Sequence, residues 1–326
     1  MSSRLSDYDF ILPPELIAQR PAEKRDESRM LVLRRADQSI THSRFSELRT
    51  FIEPGDLLVL NDTRVVRARR FSDDGAVELL LLERLDAKRW LCLVKPGRKM
   101  RLGASIQLNG ATARVEEIRP DGERIIALDR ELDLHEGGVL PLPPYVERPS
   151  DADDEERYQT VFARKEGAIA APTAGLHFTP QLLRGLPHTF VTLHVGVGTF
   201  RPVQTDDVAL HQMHSEQFVV PPAAASAINA AKRVLAVGTT TVRVLESARR
   251  DNGQLVAQKS ATDIFIRPPD SIRHVDMLLT NFHLPRSTLL MLVSAFASRE
   301  FILRAYAEAI RERYRFYSYG DCMLIL

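Results

Sequence analysis

Apolar and polar positions divide the chain into three stretches of different period. From Asp7 to Arg64 the pattern is mixed. Pro13 and Pro14 open a short helical stretch over Glu15–Gln19, and Phe45, Leu48 and Ile52 recur at helical spacing. Pro54-Gly55-Asp56 then turns into the apolar strand Leu57–Leu60, which ends in Asn61-Asp62-Thr63-Arg64. Between about Val66 and Leu142 the runs are short and β-type: Val77–Leu82, Trp90–Val94, Ser105–Leu108, Thr112–Glu116 and Ile125–Leu128. Charged or Gly/Pro turns separate them, and the spacing predicts a small antiparallel β-barrel of five or six strands. The stretch closes at Leu140-Pro141-Leu142-Pro143-Pro144, which continues neither a strand nor a helix.

After the charged linker Arg148–Arg157, strands and helices alternate. The pattern predicts strands over Gly167–Ala171, Phe190–Val195, Val234–Val237, Asp263–Ile266 and Met277–Leu279. It predicts one helix opened by Thr179-Pro180 and others over Ala223–Arg233, Val242–Arg250 and Thr288–Ala297, the last capped by Ser287. The aromatic run Tyr314–Gly320 reads as a packed edge strand. The expected fold class is therefore α/β: a layered α/β main domain, residues 1–66 and 149–326, interrupted by an inserted β-barrel, residues 67–148.

Composition narrows the reading. The chain has 326 residues, with 44 Lys+Arg against 43 Asp+Glu, which excludes a uniformly basic nucleic-acid coat. The balance is uneven locally: residues 64–101 carry 11 basic against 5 acidic residues, and residues 116–157 carry 5 against 14. Arg64, Arg67, Arg69, Arg70, Lys95, Arg98, Lys99 and Arg101 thus make a candidate phosphate-tracking face. Two cysteines cannot build a zinc site, and neither a signal peptide nor an apolar run long enough to span a bilayer is visible. A cytoplasmic, monomeric protein without a metal is expected.

Polar and small residues cluster directly after the apolar strands: Asn61–Arg64, Pro172–Phe178, His194–Phe200, Gly238–Arg243 and Thr280–His283. In open α/β sheets ligands bind outside the carboxyl ends of the strands, so these clusters point to one crevice. Gly196-Val197-Gly198 starts like a dinucleotide fingerprint, but Arg201-Pro202 follows where a third glycine and a helix are needed. No P-loop and no nucleophile elbow is present. The backbone N–H groups and hydroxyls of Thr239, Thr240 and Thr241, with Arg243 one turn on, suit an anion. His177, His194, His214 and His283 are candidate acids and bases, with Glu216 beside His214.

These clusters, together with Met213-His214-Ser215-Glu216 and Tyr317-Ser318-Tyr319-Gly320-Asp321, closely resemble the S-adenosylmethionine:tRNA ribosyltransferase-isomerase family of queuosine biosynthesis. The chain departs from that family's pattern at Ser72-Asp73-Asp74, where a Gly- and Lys-containing turn is expected. The resemblance implies transfer and isomerisation of the ribosyl part of S-adenosylmethionine onto 7-aminomethyl-7-deazaguanine at the wobble position of a tRNA with a GUN anticodon. Epoxyqueuosine in tRNA, adenine and methionine would be the products. S-adenosylmethionine would be consumed as a substrate, and no cofactor is expected. Catalytic roles then fall to His177, His194, His214, Glu216 and His283. Substrate contacts fall to Asn61, Asp62, Thr63, Arg64, Thr173, Gly175, Gly196, Gly198, Thr239, Thr240, Thr241, Arg243 and Asn281. A non-catalytic RNA-binding protein and an enzyme acting on a free nucleoside are the competing readings.

Overall fold

The computed structural model describes residues 4–196 and 205–326. Among them, nine strands form one mixed sheet in the order Gln258–Thr262, Glu216–Val220, His188–Leu193, Asp56–Asn61, Arg233–Val237, Met277–Asn281, Cys322–Ile325, Arg29–Arg34 and Ser39–Arg44. The four strands from His188–Leu193 to Met277–Asn281 are parallel, and antiparallel pairing begins on either side of them. Asp56–Asn61 is buried along its whole length, as an inner parallel strand must be. Its side chains alternate between two cores: Leu57 and Val59 join one, Leu58 and Leu60 the other.

The first core packs the sheet against the helices Pro222–Ala230, Thr239–Ser247, Thr288–Ala297 and Arg299–Arg311. The second is capped by Phe45, Leu48, Phe162, Phe178 and Leu183. Between Asn61 and His188 the chain leaves this sheet. There, six strands pair antiparallel in the order Arg69–Phe71, Glu78–Arg84, Arg89–Lys95, Arg124–Leu128, Ala111–Ile118 and Ser105–Leu108. This sheet nearly closes into a barrel. Asp73 ties its two edges, donating its N–H to Gln107 O (2.9 Å) and accepting from the Asn109 N–H (2.8 Å). That gives the acidic Ser72-Asp73-Asp74 turn a structural use. Alternate residues such as Leu79, Leu81, Trp90, Cys92, Ala113 and Val115 fill the interior, joined by Ile169 from beyond the barrel.

Helix Thr288–Ala297 lies where its pattern predicts, with Ser287 Oγ accepting from the Leu290 N–H at 3.2 Å. Other expectations are corrected. Glu15–Gln19 is not a helix: a single 3-10 turn over Pro14–Leu16 gives way to extended chain at Ile17. Helix Ala223–Arg233 ends at Ala230, because Arg233 already begins the next strand, and the helix opened by Thr239 stops at Ser247. Asp263–Ile266 is not a strand. The sheet edge is formed instead by the polar Gln258–Thr262, held by its backbone ladder, while Ile266 packs into the first core. Tyr314–Gly320 is likewise a turn rather than an edge strand. A side chain at Gly320 would collide with the Arg315–Phe316 backbone, so the chain doubles back there and enters the sheet interior as Cys322–Ile325.

Candidate active site

Because the four central strands run parallel, Asn61, Leu193, Val237 and Asn281 end at one edge of the sheet. Two hollows open there. A crevice is lined by Thr173, Gly238, Thr239, Thr240, Asn281, His283, Tyr317 and Ser318. A larger cleft of about 560 Å³ separates the barrel, through Leu82, Arg84, Trp90 and Arg119, from His194, Gly196, His214 and Glu216. Val195 lines both, so the hollows stand back to back.

In the crevice, Gly238 adopts φ +88°, a left-handed turn that suits glycine and lets the helix Thr239–Ser247 start at the rim. Thr241 points away, its hydroxyl donating to Val237 O (2.9 Å). Asn281 Nδ2 donates to the Tyr317 carbonyl (3.1 Å) and to His177 Nε2 (3.2 Å). The proton of a neutral His177 therefore sits on Nδ1, facing Ser28 Oγ at 2.9 Å. Burial, reinforced by Arg315 and Arg25, pushes the His177 pKa down to about 3. His177 is thus a neutral strut holding Asn281. Asn281 Oδ1 and Thr240 Oγ1 are buried and have no hydrogen-bond partner among the described residues. Buried polar atoms left unpaired are costly, so these two fit a ligand's hydrogen bonds. His283 lies beside them, bonded through Nε2 to Thr280 Oγ1 (2.8 Å), with its pKa pushed to about 3 by burial and by Arg243. Gly175 does not line the crevice but packs on Phe162 and Thr160.

On the cleft side, Thr63 donates its hydroxyl to Lys165 O (3.3 Å), and His194 Nδ1 lies 2.8 Å from Thr63 Oγ1. Nδ1 then carries the proton, and the neutral ring keeps its lone pair on Nε2. Burial lowers the His194 pKa, and the Asp62 carboxylate opposes that shift. Gly167 presses on the ring, where a Cβ would come within 2.9 Å of Nδ1. Asn61 and Asp62, expected to contact substrate, are engaged within the protein. Asn61 bonds both backbone groups of Leu193, and Asp62 holds Thr192 Oγ1 (2.6 Å) and Arg164 (3.0 Å).

Glu216 and Arg243 neutralise each other. Both are buried, and Arg243 Nε and Nη2 donate to Glu216 Oε2 at 2.9 and 2.6 Å. The other carboxylate oxygen accepts the Gly196 N–H at 3.4 Å. His214 is exposed at the rim of the cleft, and Gly198 lies outside the described residues.

The basic positions separate in the same way. Arg67 pairs with Glu155 (3.2 Å) and Arg69 with Glu78 (3.0 Å), Arg64 lies 3.9 Å from Glu166, and Arg70 is not on a phosphate face but buried, donating to Asp133 O (2.9 Å). Lys95, Arg98, Lys99 and Arg101 are exposed together around the 3-10 turn Gly97–Lys99. Sequence reading missed the cleft wall at Trp90 and Gly167 and the crevice wall at Ser318. The alternation around Trp90 marks only a barrel strand, and nothing in the sequence says which of its neighbours faces the cleft.

Among the described residues, no group of three or more His, Cys, Asp or Glu side chains is placed to hold a metal ion, and no helix is long and apolar enough to cross a membrane. Residues 5–325 match the family model described as queuosine biosynthesis protein. The chain is 48% identical to the S-adenosylmethionine:tRNA ribosyltransferase-isomerase of Anaeromyxobacter dehalogenans, over 99% of each chain. It is 49% identical to the protein of the same name from Moorella thermoacetica, over 99% of this chain and 100% of the relative. The crystal structure of S-adenosylmethionine tRNA ribosyltransferase from Thermotoga maritima superposes with a TM-score of 0.56 at 39% identity, covering 98% of this chain and all of that one. With whole-length relatives and a single family model spanning both sheets, the chain belongs to the queuosine biosynthesis protein family.

Proposed function

We propose that this chain is an S-adenosylmethionine:tRNA ribosyltransferase-isomerase. It moves the ribosyl group of S-adenosylmethionine onto 7-aminomethyl-7-deazaguanine at the wobble position of a tRNA with a GUN anticodon, giving epoxyqueuosine-tRNA, adenine and methionine. The observation that carries this is the full-length match, residues 5–325, to a family whose relatives bear that name. The back-to-back hollows support it, since two substrates must meet at one carbon skeleton. S-adenosylmethionine takes the crevice, where Asn281 Oδ1, Thr240 Oγ1 and His283 are available to the adenine edge. The aminomethyl base enters the cleft from the barrel side. The sulfonium acidifies the C5′ hydrogens, and His194 Nε2 is the base that removes one. Collapse of the ylide opens the ribose and expels adenine, the aminomethyl nitrogen attacks, and an alkoxide closes the epoxide as methionine leaves.

In this reading, S-adenosylmethionine is a consumed substrate and no cofactor takes part. The main domain comprises residues 1–66 and 149–326, layered around the nine-stranded sheet, with the barrel of residues 67–148 inserted. The protein works as a cytoplasmic monomer. Incubating it with S-adenosylmethionine and tRNA carrying the aminomethyl base yields adenine, methionine and a mass-shifted nucleoside. Adenine release that does not need tRNA would defeat the reading.

The RNA face is the exposed turn. Alanine at Arg98, Lys99 and Arg101 weakens tRNA binding and flattens the plot of log affinity against log salt by about 0.7–0.9 for each phosphate that the protein no longer neutralises. Alanine at Arg67, already paired with Glu155, leaves the slope unchanged. Binding isotherms at several salt concentrations decide it, and equal slopes for wild type and the triple variant would remove the turn from the RNA face.

A further inference from the structure

Behind the crevice lies a groove lined by Arg25, Arg157, Ser28, His177, Ser318 and Tyr319. Arg25 stands on the 3-10 turn Arg25–Glu27 and Arg157 at the end of helix Ala152–Arg157. Burial and the charge of the nearby Arg157 lower Arg25's hold on its proton, and the Glu156 carboxylate opposes them in part. Arg25 donates to Leu176 O (3.0 Å) and Glu156 O (2.8 Å), and Arg157 to Glu23 O (3.1 Å) and Ala22 O (2.6 Å). All four acceptors are backbone carbonyls. Such contacts orient a guanidinium without cancelling its charge, and an arginine has five N–H groups to give. Arg157 Nε is buried and has no partner among the described residues.

The groove and the crevice share Ser318, and His177 on the groove side holds Asn281 on the crevice side. The other arginines near the crevice are engaged: Arg243 with Glu216, and Arg315 with Asp321 at 3.6 Å. We propose that Arg25 and Arg157, rather than the anion-suited Thr239–Thr241 and Arg243, receive the carboxylate of the methionine moiety of S-adenosylmethionine. This rests on the crevice being the S-adenosylmethionine site. Guanidiniums match a carboxylate's paired oxygens.

The test compares S-adenosylmethionine with its decarboxylated analogue, in adenine-release kinetics and in calorimetric binding without tRNA. Wild type discriminates against the analogue. Arg157→Gln raises KM and Kd for S-adenosylmethionine by about ten- to a hundredfold, leaves the values for the analogue unchanged, and so abolishes the discrimination. Arg157→Lys, which keeps the charge and loses the fork, recovers part of it. KM for tRNA stays constant throughout. Arg25→Gln repeats the pattern, so the result stands even if one variant folds poorly. Discrimination that survives both glutamine variants overturns the proposal, as does a rise confined to the tRNA KM, which would make the groove a phosphate site. If wild type releases no adenine, the functional reading fails, while the binding arm still decides where the carboxylate sits.

Discussion

His194→Gln lowers tRNA-dependent adenine release by a factor of about 10²–10⁴, the range expected when a positioned base is lost. The ring is prepared for that role by its surroundings. Thr63 orients Nδ1, Gly167 presses on the ring, and the cleft lies beyond it. His177 and His283, with pKa values pushed down to about 3, are neutral at working pH and too weakly basic to compete. Burial lowers the His194 pKa from its ordinary value of about 6.5. A base works only when unprotonated, so kcat falls as pH drops through that lowered pKa, and the acid limb of the wild-type profile is centred below about 6.5. In His194→Gln this limb disappears along with most of the rate. Single-turnover adenine release between about pH 4.5 and 8.5 checks both. A variant within about threefold of wild type, or one that keeps the limb, would move the base elsewhere.

How much of this was legible in the sequence depends on which force set each element. Strand Asp56–Asn61 and helix Thr288–Ala297 are defined by their own apolar content and by local caps, and both read directly. So did the polar clusters at the strand ends, because a buried parallel strand must stop where the sequence turns polar. Gln258–Thr262 carries no such signal: its side chains are mostly exposed, and it is a strand only because Glu216–Val220 offers it a ladder. Arg29–Arg34 is an apolar run framed by arginines whose partner, Cys322–Ile325, lies at the other end of the chain. In the site, residue types were legible but their partners were not. Arg243 reads as a free cation until Glu216 is seen beside it, and Arg25 and Arg157 read as surface charges until they share a groove. Pairings between distant segments decide which charges remain available to a substrate.

The Glu216–Arg243 pair should therefore act through folding rather than proton transfer. Glu216 begins the strand Glu216–Val220, and Arg243 stands on the helix whose first turn lines the crevice. The carboxylate's second oxygen also holds the Gly196 N–H at the cleft. The pair joins the strand, the helix and the Gly196 backbone at the cleft. Glu216→Ala leaves a buried guanidinium without a counter-ion, and Arg243→Ala leaves a buried carboxylate, each at a cost of about 3–5 kcal/mol. For cooperative unfolding of a chain of 326 residues that corresponds to a Tm roughly 4–7 °C lower. The double variant Glu216→Gln/Arg243→Met, which leaves no buried charge, is more stable than either alanine variant, because removing both charges removes the desolvation cost as well. A proton-transfer role for Glu216 predicts something different: Glu216→Gln would keep wild-type stability and lose its rate at every pH. Thermal melts of the singles and the double, read beside adenine release, separate the two. Additive losses of under about 1 kcal/mol each would mean that the pair does not hold these elements together.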